Sequence, residues 1–589
     1  MYKNNRIIVV IPARGGSKGI PRKNIRLLAN KPLIGYSIET ALNSNYVDDV
    51  VVTTDDDEIK FISEQFGAFT IKRSNELAED DVPLDPVIFN AVNTTETLNG
   101  VKYDFIITIQ PTSPLLKSET LNKTIEKLYD KDNDTIISVV DDRHLSWGFS
   151  KEKNSYYPLY DKRVNRQYLP KAYKETGGIF ATKREFLKED SRLGNNINLI
   201  EVSNHESIDI DNYEDWWVAE RLLNKKRVLI KTDATDEIGT GHIYRGLAIA
   251  SKLANHEVLF LLDESKKLGI DIVENHNYPY LTHKSFKNEN TIDNTQNSEN
   301  TENIEDNYNN NIYEECCEIN QELINEIEDY DPDIIINDIL NTSAEYISKL
   351  KENKYFVINF EDLGEGAELA DIVFDALYEH QIPSKNVYSG HKYYILKDEF
   401  YYQKQKNIEN IDEVNDILLT FGGTDPNNLT KKTLDSLLKS SYNGKITVIL
   451  GLGYKNKKGI KEEFAKYSNI SIFENVKNIS EYMYNADLIF TSAGRTMYEI
   501  ASIGVPCVCL CQNQRELTHT FGNAENGFLN LGLGKNLSKK ELIKTIETLL
   551  NDNDLRREMN KRMLSIDLKH GFENMIKIVK SKYKDFDKI

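Results

Sequence analysis

The chain has 589 residues, 40% of them hydrophobic, and a formal net charge of −20 at pH 7. This length exceeds what one hydrophobic core supports, so about two to four domains are expected. An acidic chain whose cations gather in short loops argues against nucleic acid and favours small anionic ligands. The sequence contains no apolar run of about 18 residues, so no membrane-spanning helix is predicted. The N-terminus lacks a signal-peptide pattern, so we expect a cytoplasmic location.

The first 225 residues alternate short apolar strands with amphipathic helices. Strands are predicted at Ile7–Ile11, Val50–Thr53, Phe105–Gln110 and Thr135–Val139, and a helix at Pro32–Ser44. Uninterrupted β-branched runs are typical of parallel strands that are buried on both faces. The alternation predicts one doubly wound α/β domain, whose ligands bind at the carboxyl ends of the strands.

A glycine-rich, basic loop follows the first strand. Small residues let backbone N–H groups approach an anion, while long basic side chains surround it. Four cations within ten residues favour phosphate binding over a solvated turn, although the spacing is not that of a P-loop. The expected ligand-binding residues of this loop are Arg14, Gly15, Gly16, Ser17, Lys18, Lys23 and Asn24.

A pair of carboxylates follows the last strand of this domain. Asp209 and Asp211 are two residues apart on an extended segment, so both face the same way. Mg²⁺ binds hard oxygen ligands and keeps positions for phosphate and water, which favours a magnesium site. The competing interpretation is that Asp211 caps the next helix, with Glu214 completing a capping box. Other polar candidates after the strands are Gln110, Thr112, Ser113, Arg166 and Gln167.

The segment from His144 to Ala172 is polar, tyrosine-rich and too long for an ordinary connection. One interpretation is an irregular surface loop. The other, which we favour, is an arm that packs on a second subunit.

In their order along residues 6–225, these motifs resemble those of CMP-sialic acid synthetases (acylneuraminate cytidylyltransferases). The resemblance rests on five stretches: Ala13–Gly19, Lys23-Asn24, Gln110–Pro114, Arg166-Gln167 and Ser207–Asp211. It implies that CTP lies over the glycine-rich loop and that the segment 144–172 forms a homodimer.

The resemblance also implies roles for individual residues. Arg14, Lys18 and Lys23 would hold the phosphates of CTP, with Asn24 near the nucleotide. Gln110 would contact a nine-carbon acid sugar, and Asp209 and Asp211 would hold Mg²⁺. The anomeric hydroxyl of the sugar would attack the α-phosphorus and expel pyrophosphate, with its proton passing to Asp211 or to a water that Asp211 orients.

Departures from the family pattern fall on the sugar side. Residues 80–85 read Asp-Asp-Val-Pro-Leu-Asp where relatives carry small hydroxyl residues, and Lys174 and Thr176 stand where many relatives have Arg and Asn. Arg73 and Lys174 are expected to contact substrate. The acid, whether pseudaminic, legionaminic or N-acetylneuraminic acid, stays open.

A second series of strands begins after the basic run at 225–227. Two consecutive sets of strands predict two Rossmann-type subdomains, at 227–410 and 411–589, that face each other across a cleft. Within the first of these subdomains, Asn288–Glu318 contains nine acids and no Lys or Arg. We therefore expect a disordered acidic, Asn-rich insertion at 284–318.

Small-residue loops follow several strands of this second part. His242 lies beside a glycine turn at a strand end, where an imidazole can act as a general base, although a plain surface histidine fits equally well. The other candidate ligand-binding residues here are Gly239, Gly241, Arg245, Gly422, Gly423, Thr424, Ser492, Gly494 and Glu499.

These loops resemble the GT-B-type UDP-GlcNAc transferase of peptidoglycan synthesis and, more closely, the UDP-sugar hydrolase of pseudaminic acid synthesis, over about 227–540. The resemblance implies that Glu499 holds ribose hydroxyls and that His242 activates water to release UDP from a UDP-2,4-diacetamido-2,4,6-trideoxyhexose. Asn337-Asp338-Ile339-Leu340 and Arg495 depart from the hydrolase pattern. Two alternatives stay open: a glycosyltransferase, or a catalytically degenerate UDP-sugar-binding module.

Cys507, Cys509 and Cys511 alternate along one predicted strand and so share one face. Core packing of small apolar thiols is favoured over metal binding. Five cysteines in the whole chain indicate no disulfide framework.

Overall fold

A computed structural model describes residues 1–79, 81–234, 240–284, 316–317, 321–339, 341–377, 385–409, 412–474 and 476–583. The chain divides between Lys225 and Lys226 into two compact units, called here unit 1 and unit 2. In the described part of the chain, none of the helices combines the length and apolar character needed to cross a membrane.

Unit 1 contains eleven described strands and five described α-helices. The strands are β1 (Ile7–Pro12), β2 (Leu27–Leu28), β3 (Lys31–Pro32), β4 (Asp49–Thr54), β5 (Phe69–Lys72), β6 (Phe105–Ile109), β7 (Thr135–Asp141), β8 (Trp147–Ser150), β9 (Ser155–Pro158), β10 (Tyr173–Lys183) and β11 (Ile197–Glu201). The helices are α1 (Leu33–Leu42), α2 (Asp57–Gln65), α3 (Leu84–Asn99), α4 (Ser118–Leu128) and α5 (Tyr213–Leu223).

Seven strands of unit 1 form one sheet in the order β11-β7-β10-β6-β1-β4-β5. β10 runs antiparallel to β6 and β7, and the other neighbouring strands are parallel. β1 is the central example of a doubly buried strand. Ile7, Val9 and Ile11 belong to one core cluster, whereas Ile8 and Val10 belong to another. The unbroken apolar run therefore feeds hydrophobic cores on both faces of the sheet.

The segment 144–172 contains an antiparallel hairpin of β8 and β9. Large apolar side chains on it are exposed, with Trp147 54% and Tyr156 75% accessible. Its two strands pair with each other and with no other strand that the structure describes.

Unit 2 contains the remaining described strands and helices. The strands are β12 (Arg227–Thr232), β13 (Glu257–Asp263), β14 (Tyr280–His283), β15 (Cys316–Cys317), β16 (Ile334–Asp338), β17 (Asn341–Thr342), β18 (Phe356–Phe360), β19 (Ile372–Asp375), β20 (Val387–Ser389), β21 (Asp416–Thr420), β22 (Lys445–Leu450), β23 (Ile470–Glu474), β24 (Leu488–Thr491), β25 (Cys507–Cys511) and β26 (Phe528–Leu533). The helices are α6 (Gly241–Lys252), α7 (Lys267–Asn275), α8 (Gln321–Tyr330), α9 (Ala344–Glu352), α10 (Asp398–Tyr402), α11 (Leu429–Leu437), α12 (Lys457–Phe464), α13 (Ile479–Asn485), α14 (Thr496–Ile503), α15 (Gln514–Leu517), α16 (Lys539–Asn551), α17 (Asn553–Leu564) and α18 (Gly571–Lys582).

Two parallel sheets organise unit 2. Their strand orders are β14-β13-β12-β16-β18-β19-β20 and β23-β22-β21-β24-β25-β26. The last helix, α18, packs Met575 and Val579 into the core of the first sheet. The prediction that this helix belongs to the second subdomain is therefore wrong. The predicted fold class is confirmed: an α/β doubly wound domain is followed by a GT-B-like pair of Rossmann-type layers.

Two further predictions concern unit 2: the position of its alternating cysteines and the acidic insertion. Cys507, Cys509 and Cys511 are fully buried in one hydrophobic cluster, as expected for core residues. The predicted insertion at 284–318 lies outside the described residues except for Lys284 and the short strand β15, which pairs with β17.

Candidate functional site

The glycine-rich loop of unit 1 lies at the carboxyl end of β1. Gly15 N donates to Asp55 Oδ1 at 3.0 Å, and Asn24 Nδ2 donates to Arg14 O at 2.9 Å. Asn24 is buried, so its amide fastens the two ends of the loop together rather than facing solvent. These bonds hold the loop in one conformation above the sheet edge.

Three glycines of this loop have different surroundings. A Cβ on Gly15 would lie 2.7 Å from Asp56 Oδ2, and one on Gly19 would collide with the backbone oxygen of Asp211. Gly16 has no atom within 4 Å of its Cβ position. Gly15 and Gly19 therefore permit close packing, while Gly16 leaves space over the backbone that a ligand can use.

The cations of the loop are not equivalent. Arg22 forms ion pairs with Asp56 and Glu58 at the start of α2. Lys23 Nζ donates to Ile210 O at 2.6 Å and lies 3.7 Å from Asp211 Oδ1. Lys23 therefore links the basic loop to the predicted carboxylate pair, whereas Arg22 supports the structure of the loop.

The segment after β6 meets the start of β10 at the same sheet edge. Gly177, at φ +70°, has Gln110 Nε2 at 3.1 Å and Asp209 Oδ2 at 3.5 Å from its Cβ position. Ile210 N donates to Thr112 O at 2.9 Å, and the hydroxyl of Ser113 is buried. Gln110 and Asp209 thus meet at Gly177, whose conformation and close contacts both disfavour a side chain. Thr112 lies beside them through its bond to Ile210, and the Ser113 hydroxyl lies 3.6 Å from the Cβ position of Gly178.

Asp209 is the more buried of the two carboxylates. Burial raises the pKa of its carboxyl above the ordinary value, the Asp211 charge raises it further, and the Thr112 hydroxyl opposes both. Among the residues described, none forms a well-aligned hydrogen bond with Asp209 Oδ1 or Thr112 Oγ1. A buried carboxylate oxygen that lacks a well-aligned protein donor fits a metal ligand. Within the described ranges, no three or more His, Cys, Asp or Glu side chains are grouped so that they could hold a metal ion.

The predicted cap of α5 is wrong by one residue. Asn212 Oδ1 accepts from Asp215 N, and the Asp215 carboxylate accepts from Asn212 N, which completes a capping box. Asp211 lies outside this box, and its side chain is 77% exposed. Glu214 has no part in the box, so the capping explanation for the Asp211 carboxylate is removed.

Arg73 lies below the loop at the end of β5. Its Nη2 donates to Thr53 O at 2.9 Å. Burial lowers the pKa of its guanidinium to about 10, Asp55 raises it and Arg14 lowers it. Arg73 is therefore a buried support of the strand ends near Arg14 and Asp55.

Arg166 and Gln167 lie elsewhere on the sheet edge. With Asp141, Arg143 and Glu201 they line a cleft of about 470 Å³ beyond the ends of β7 and β11. Gly15, Gln110 and Asp209 do not line this cleft. Lys174, on β10 opposite Val140, is exposed.

His242 of unit 2 belongs to a buried cluster of charged groups. Its Nδ1 lies 2.6 Å from Asp338 Oδ1, and Arg245 Nε donates to Asp338 Oδ2 at 2.6 Å. Arg245 also pairs with Glu361. Because a carboxylate only accepts, Nδ1 of His242 is the protonated nitrogen and Nε2 carries the lone pair.

The environment of His242 keeps its ring neutral. Burial lowers the pKa of the imidazole below its ordinary value, and the charges of Arg245 and Arg495 lower it further, while Asp338 raises it. A neutral ring with a fixed tautomer is the form that a general base requires. Asp338 departs from the sequence pattern of the UDP-sugar hydrolase, yet it is the partner that orients this base.

The small-residue loops of unit 2 meet near His242. Gly423 has Thr240 Oγ1 at 3.1 Å from its Cβ position, and Gly422, at φ +79°, has Ser492 Oγ at 3.7 Å. Thr424 and Gly494 lie in the same two loops. Gly239 lies outside the described residues. The loops after β12, β21 and β24 therefore converge, as the sequence predicts for a cleft between two Rossmann-type layers.

Glu499 has a protein partner that the sequence did not indicate. Its carboxylate is 4% exposed, and Lys397 Nζ lies 2.9 Å from its Oε1. Lys397 Nζ also lies 5.1 Å from the centroid of the Tyr244 ring. Any contact of Glu499 with a ligand is therefore shared with Lys397.

Glu516 and His519 are two further groups that sequence reasoning missed. Glu516 Oε2 accepts from Gln512 N at 2.7 Å and Ala493 N at 3.2 Å, yet burial raises the pKa of its carboxyl to about 7. His519 Nδ1 lies 2.7 Å from Ala493 O. Both residues brace the loop that contains Ser492 and Gly494, and no local sequence pattern signals either one.

Comparison with known proteins identifies both units. A family model described as Cytidylyltransferase matches residues 8–205, and one described as Glycosyltransferase family 28 C-terminal domain matches residues 417–579. The pseudaminic acid cytidylyltransferase of Campylobacter jejuni is 32% identical over 214 residues, which cover 35% of this chain and 92% of that protein. The CMP-N,N'-diacetyllegionaminic acid synthase of Legionella pneumophila is 34% identical over 226 residues, covering 37% and 96%.

Further similarities extend beyond unit 1. An uncharacterized protein of Methanocaldococcus jannaschii is 28% identical over 362 residues, covering 55% of this chain and 67% of that protein. Among solved structures, a CMP:2-keto-3-deoxy-manno-octonic acid synthetase complexed with CTP covers 37% of this chain and 98% of its own, with 19% identity and a TM-score of 0.28. MurG of Acinetobacter baumannii covers 60% and 99%, with 15% identity and a TM-score of 0.43.

The mostly parallel sheet of unit 1, with its basic glycine-rich loop and carboxylates at one edge, has the architecture expected of an α/β nucleotide-binding domain. Through this unit the chain belongs to the cytidylyltransferase family, as the motifs in the sequence predict. Residues 417–579 of unit 2 match the glycosyltransferase family 28 C-terminal domain. This match favours the glycosyltransferase alternative over the predicted UDP-sugar hydrolase.

Proposed function

We propose that unit 1 transfers CMP from CTP to the anomeric hydroxyl of a nine-carbon acid sugar and releases pyrophosphate. The observation that carries this proposal is that Lys23 of the basic loop contacts Ile210 and Asp211, in the segment that contains the predicted carboxylate pair. Relatives named as cytidylyltransferases of pseudaminic, legionaminic and N-acylneuraminic acids share this unit. The acid used by this chain is one of that class.

The charged residues of unit 1 act on the triphosphate. Arg14, Lys18 and Lys23 bind and neutralise its phosphates, and the open backbone at Gly16 allows a phosphate to approach. The sugar hydroxyl forms a bond to the α-phosphorus, pyrophosphate leaves with the electron pair of the broken bond, and the hydroxyl proton passes to Asp211 or to a water that it orients. Asp209 and Asp211 would hold Mg²⁺, which would neutralise charge on the phosphoryl oxygens.

The metal assignment is tested by Asp209→Asn in the full chain. We expect CTP-dependent pyrophosphate release to fall at least about 100-fold, because losing a metal ligand removes charge stabilisation of the transition state. Asp132→Asn, an exposed residue of unit 1, is the matched control and keeps full activity. Unchanged activity in Asp209→Asn excludes this carboxylate as a metal ligand.

We also propose that the hairpin of β8 and β9 packs on a second copy of unit 1. Its exposed aromatic side chains support this, since an apolar surface of this kind gains stability when it is covered. Sedimentation analysis of the full chain tests the proposal: a dimer is expected, and a monomer at micromolar concentration contradicts it.

For unit 2 we propose cleavage of the bond between UDP and a sugar, with His242 as the base. The His242–Asp338 pair supports this role, because it fixes the tautomer of a buried neutral imidazole. Transfer of the sugar to an acceptor hydroxyl is supported by the glycosyltransferase family 28 match. Hydrolysis, with water as the nucleophile, uses the same base and is the second candidate.

Formation of UDP with and without an acceptor separates these readings. The full chain is incubated with a UDP-2,4-diacetamido-2,4,6-trideoxyhexose, and UDP is measured. UDP release in buffer alone identifies a hydrolase, and release that needs an acceptor identifies a transferase. UDP binding without turnover under either condition identifies a degenerate binding module. His242→Ala removes the activity in the first two cases.

A further inference from the structure

Arg495 ends the loop after β24 and immediately precedes α14. Its side chain reaches residues that belong to the first sheet of unit 2. Nη1 donates to Gly241 O at 2.8 Å, and Nη2 lies 3.5 Å from Glu361 Oε2. A cation from the second sheet is therefore placed at the start of the helix that carries His242.

Gly241 makes this approach possible. A Cβ at Gly241 would lie 3.3 Å from Arg495 Cδ and 3.4 Å from Arg495 Nε, closer than most Cβ contacts. A methyl group at this position would require the Arg495 side chain to shift by a few tenths of an ångström. The glycine that follows Thr240 is thus explained by the passage of Arg495 across the cleft.

The two arginines of the cluster differ in the number of carboxylates that their guanidinium groups contact. Arg245 contacts both Asp338 and Glu361 and has a side chain only 5% exposed. Among the described residues, Arg495 pairs with Glu361 alone, at the longer distance, and its side chain is 19% exposed. A guanidinium has five N–H donors, and the contacts of Arg495 with Gly241 O and Glu361 use two of them. Arg495 is the cation of the cluster that is placed to bind a ligand.

The cluster carries no net charge, so it does not repel an anion. Two guanidinium groups and two carboxylates cancel, and His242 is neutral. The first turn of α14, an eight-residue helix, adds backbone N–H groups with partial positive charge at the same place. Arg495 Nη1 donates to the backbone oxygen of Gly241, the residue that precedes His242, so the guanidinium lies beside the residue that carries the proposed base.

We propose that Arg495 binds the β-phosphate of the UDP group and neutralises the charge that develops there as the sugar leaves. This inference rests on the proposed function of unit 2. The nucleophile's oxygen bonds to the anomeric carbon while its proton passes to His242 Nε2. The bond from that carbon to the β-phosphate oxygen breaks, and its electron pair leaves with UDP. Transfer and hydrolysis both require this neutralisation.

Calorimetric titration of the full chain with UDP and with UMP tests the inference. We expect Arg495→Ala to weaken UDP binding about 10- to 100-fold, the size of a lost charge-assisted hydrogen-bonded contact. UMP lacks the β-phosphate, so its dissociation constant for the Arg495→Ala variant is expected to stay within threefold of that for the wild type. Arg495→Lys keeps the charge and should recover part of the UDP affinity. Arg562→Ala, a change of an exposed arginine on α17, is the control and binds both nucleotides normally.

The outcomes separate the inference from the function on which it rests. If the wild type binds UDP and Arg495→Ala binds it equally well, Arg495 does not contact the β-phosphate. If UDP and UMP weaken by the same factor, Arg495 only supports the fold of the cleft, and the inference is overturned. If the wild-type chain binds neither nucleotide, the proposed function of unit 2 fails and the inference fails with it.

Discussion

Replacing Asp338 by Asn tests the catalytic and structural roles of the buried cluster together. Asp338 is fully buried and contacts His242 and Arg245 through both of its oxygens. Burial would raise the pKa of this carboxyl, but the charges of Arg245 and His242 and their hydrogen bonds hold it well below its ordinary value. The carboxylate therefore stays charged across the neutral range, and the substitution removes one full negative charge.

The expected loss of stability follows from that charge. Removing one partner of a buried ion pair typically costs about 3–5 kcal/mol, because the other charge stays buried without compensation. Glu361 still contacts Arg245, so we expect the lower end, about 3 kcal/mol. Asp435→Asn is a matched control: it breaks the partly exposed pair with Lys539 and should cost less than about 1 kcal/mol.

The effect on activity is separable from the effect on stability. A neutral amide no longer favours the Nδ1-protonated ring of His242, so the base is held in the wrong form for part of the time. UDP release from a UDP-sugar should fall about 100-fold or more at a temperature where the variant is folded. Urea unfolding gives the stability and coupled UDP detection gives the rate. Wild-type activity, or a stability loss no larger than that of Asp435→Asn, would refute the reasoning.

Three further predictions concern separate parts of the molecule. The pKa of Glu516 is raised to about 7, above the ordinary value of about 4.3. Its folded state therefore favours the protonated form, and the unfolding free energy should fall by up to about 3 kcal/mol as pH rises from about 4 to about 7; Glu516→Gln should flatten this dependence in urea titrations, and an unchanged slope contradicts it. UDP release should stay constant with pH from neutrality upward and decline only below about pH 6.5, because burial keeps His242 neutral; a pH profile that rises through pH 8 contradicts a neutral base. Gly19→Ala should lower the free energy of unfolding by about 1–3 kcal/mol through its collision with Asp211 O, while Gly16→Ala leaves it nearly unchanged in the same thermal melts; equal losses in both variants would show that the collision is relieved.

Local patterns in the sequence predict the parallel sheets well. The run Ile7–Ile11 is buried on both faces, and its uninterrupted β-branched composition identifies β1 correctly. β10 is different, because Thr176 to Phe180 contains two glycines and reads as a ligand loop rather than as part of an eleven-residue strand. Its antiparallel pairing with β6 and β7 depends on partners between 32 residues (Tyr173 with Asp141) and 78 residues (Lys183 with Phe105) away in the chain, which periodicity cannot show.

The candidate sites follow the same division. The loop from Arg14 to Asn24 is predictable because glycine spacing and local charge are sequence properties. Asp338 and Lys397 are not, since each gains its role from a residue about 100 positions away: His242 for Asp338, and Glu499 for Lys397. The cap of α5 shows the limit at short range, because Asn212 and Asp211 are both good capping residues and only the backbone conformation selects Asn212.

The central claim is that unit 1 makes a CMP-linked nine-carbon acid sugar. It is tested most directly by incubating the full chain with CTP, Mg²⁺ and, separately, pseudaminic, legionaminic and N-acetylneuraminic acids, and measuring pyrophosphate and the CMP-sugar. We predict equal amounts of both products with at least one acid, and no product when CTP is omitted. Failure to form a CMP-sugar with any of the three acids would contradict the account.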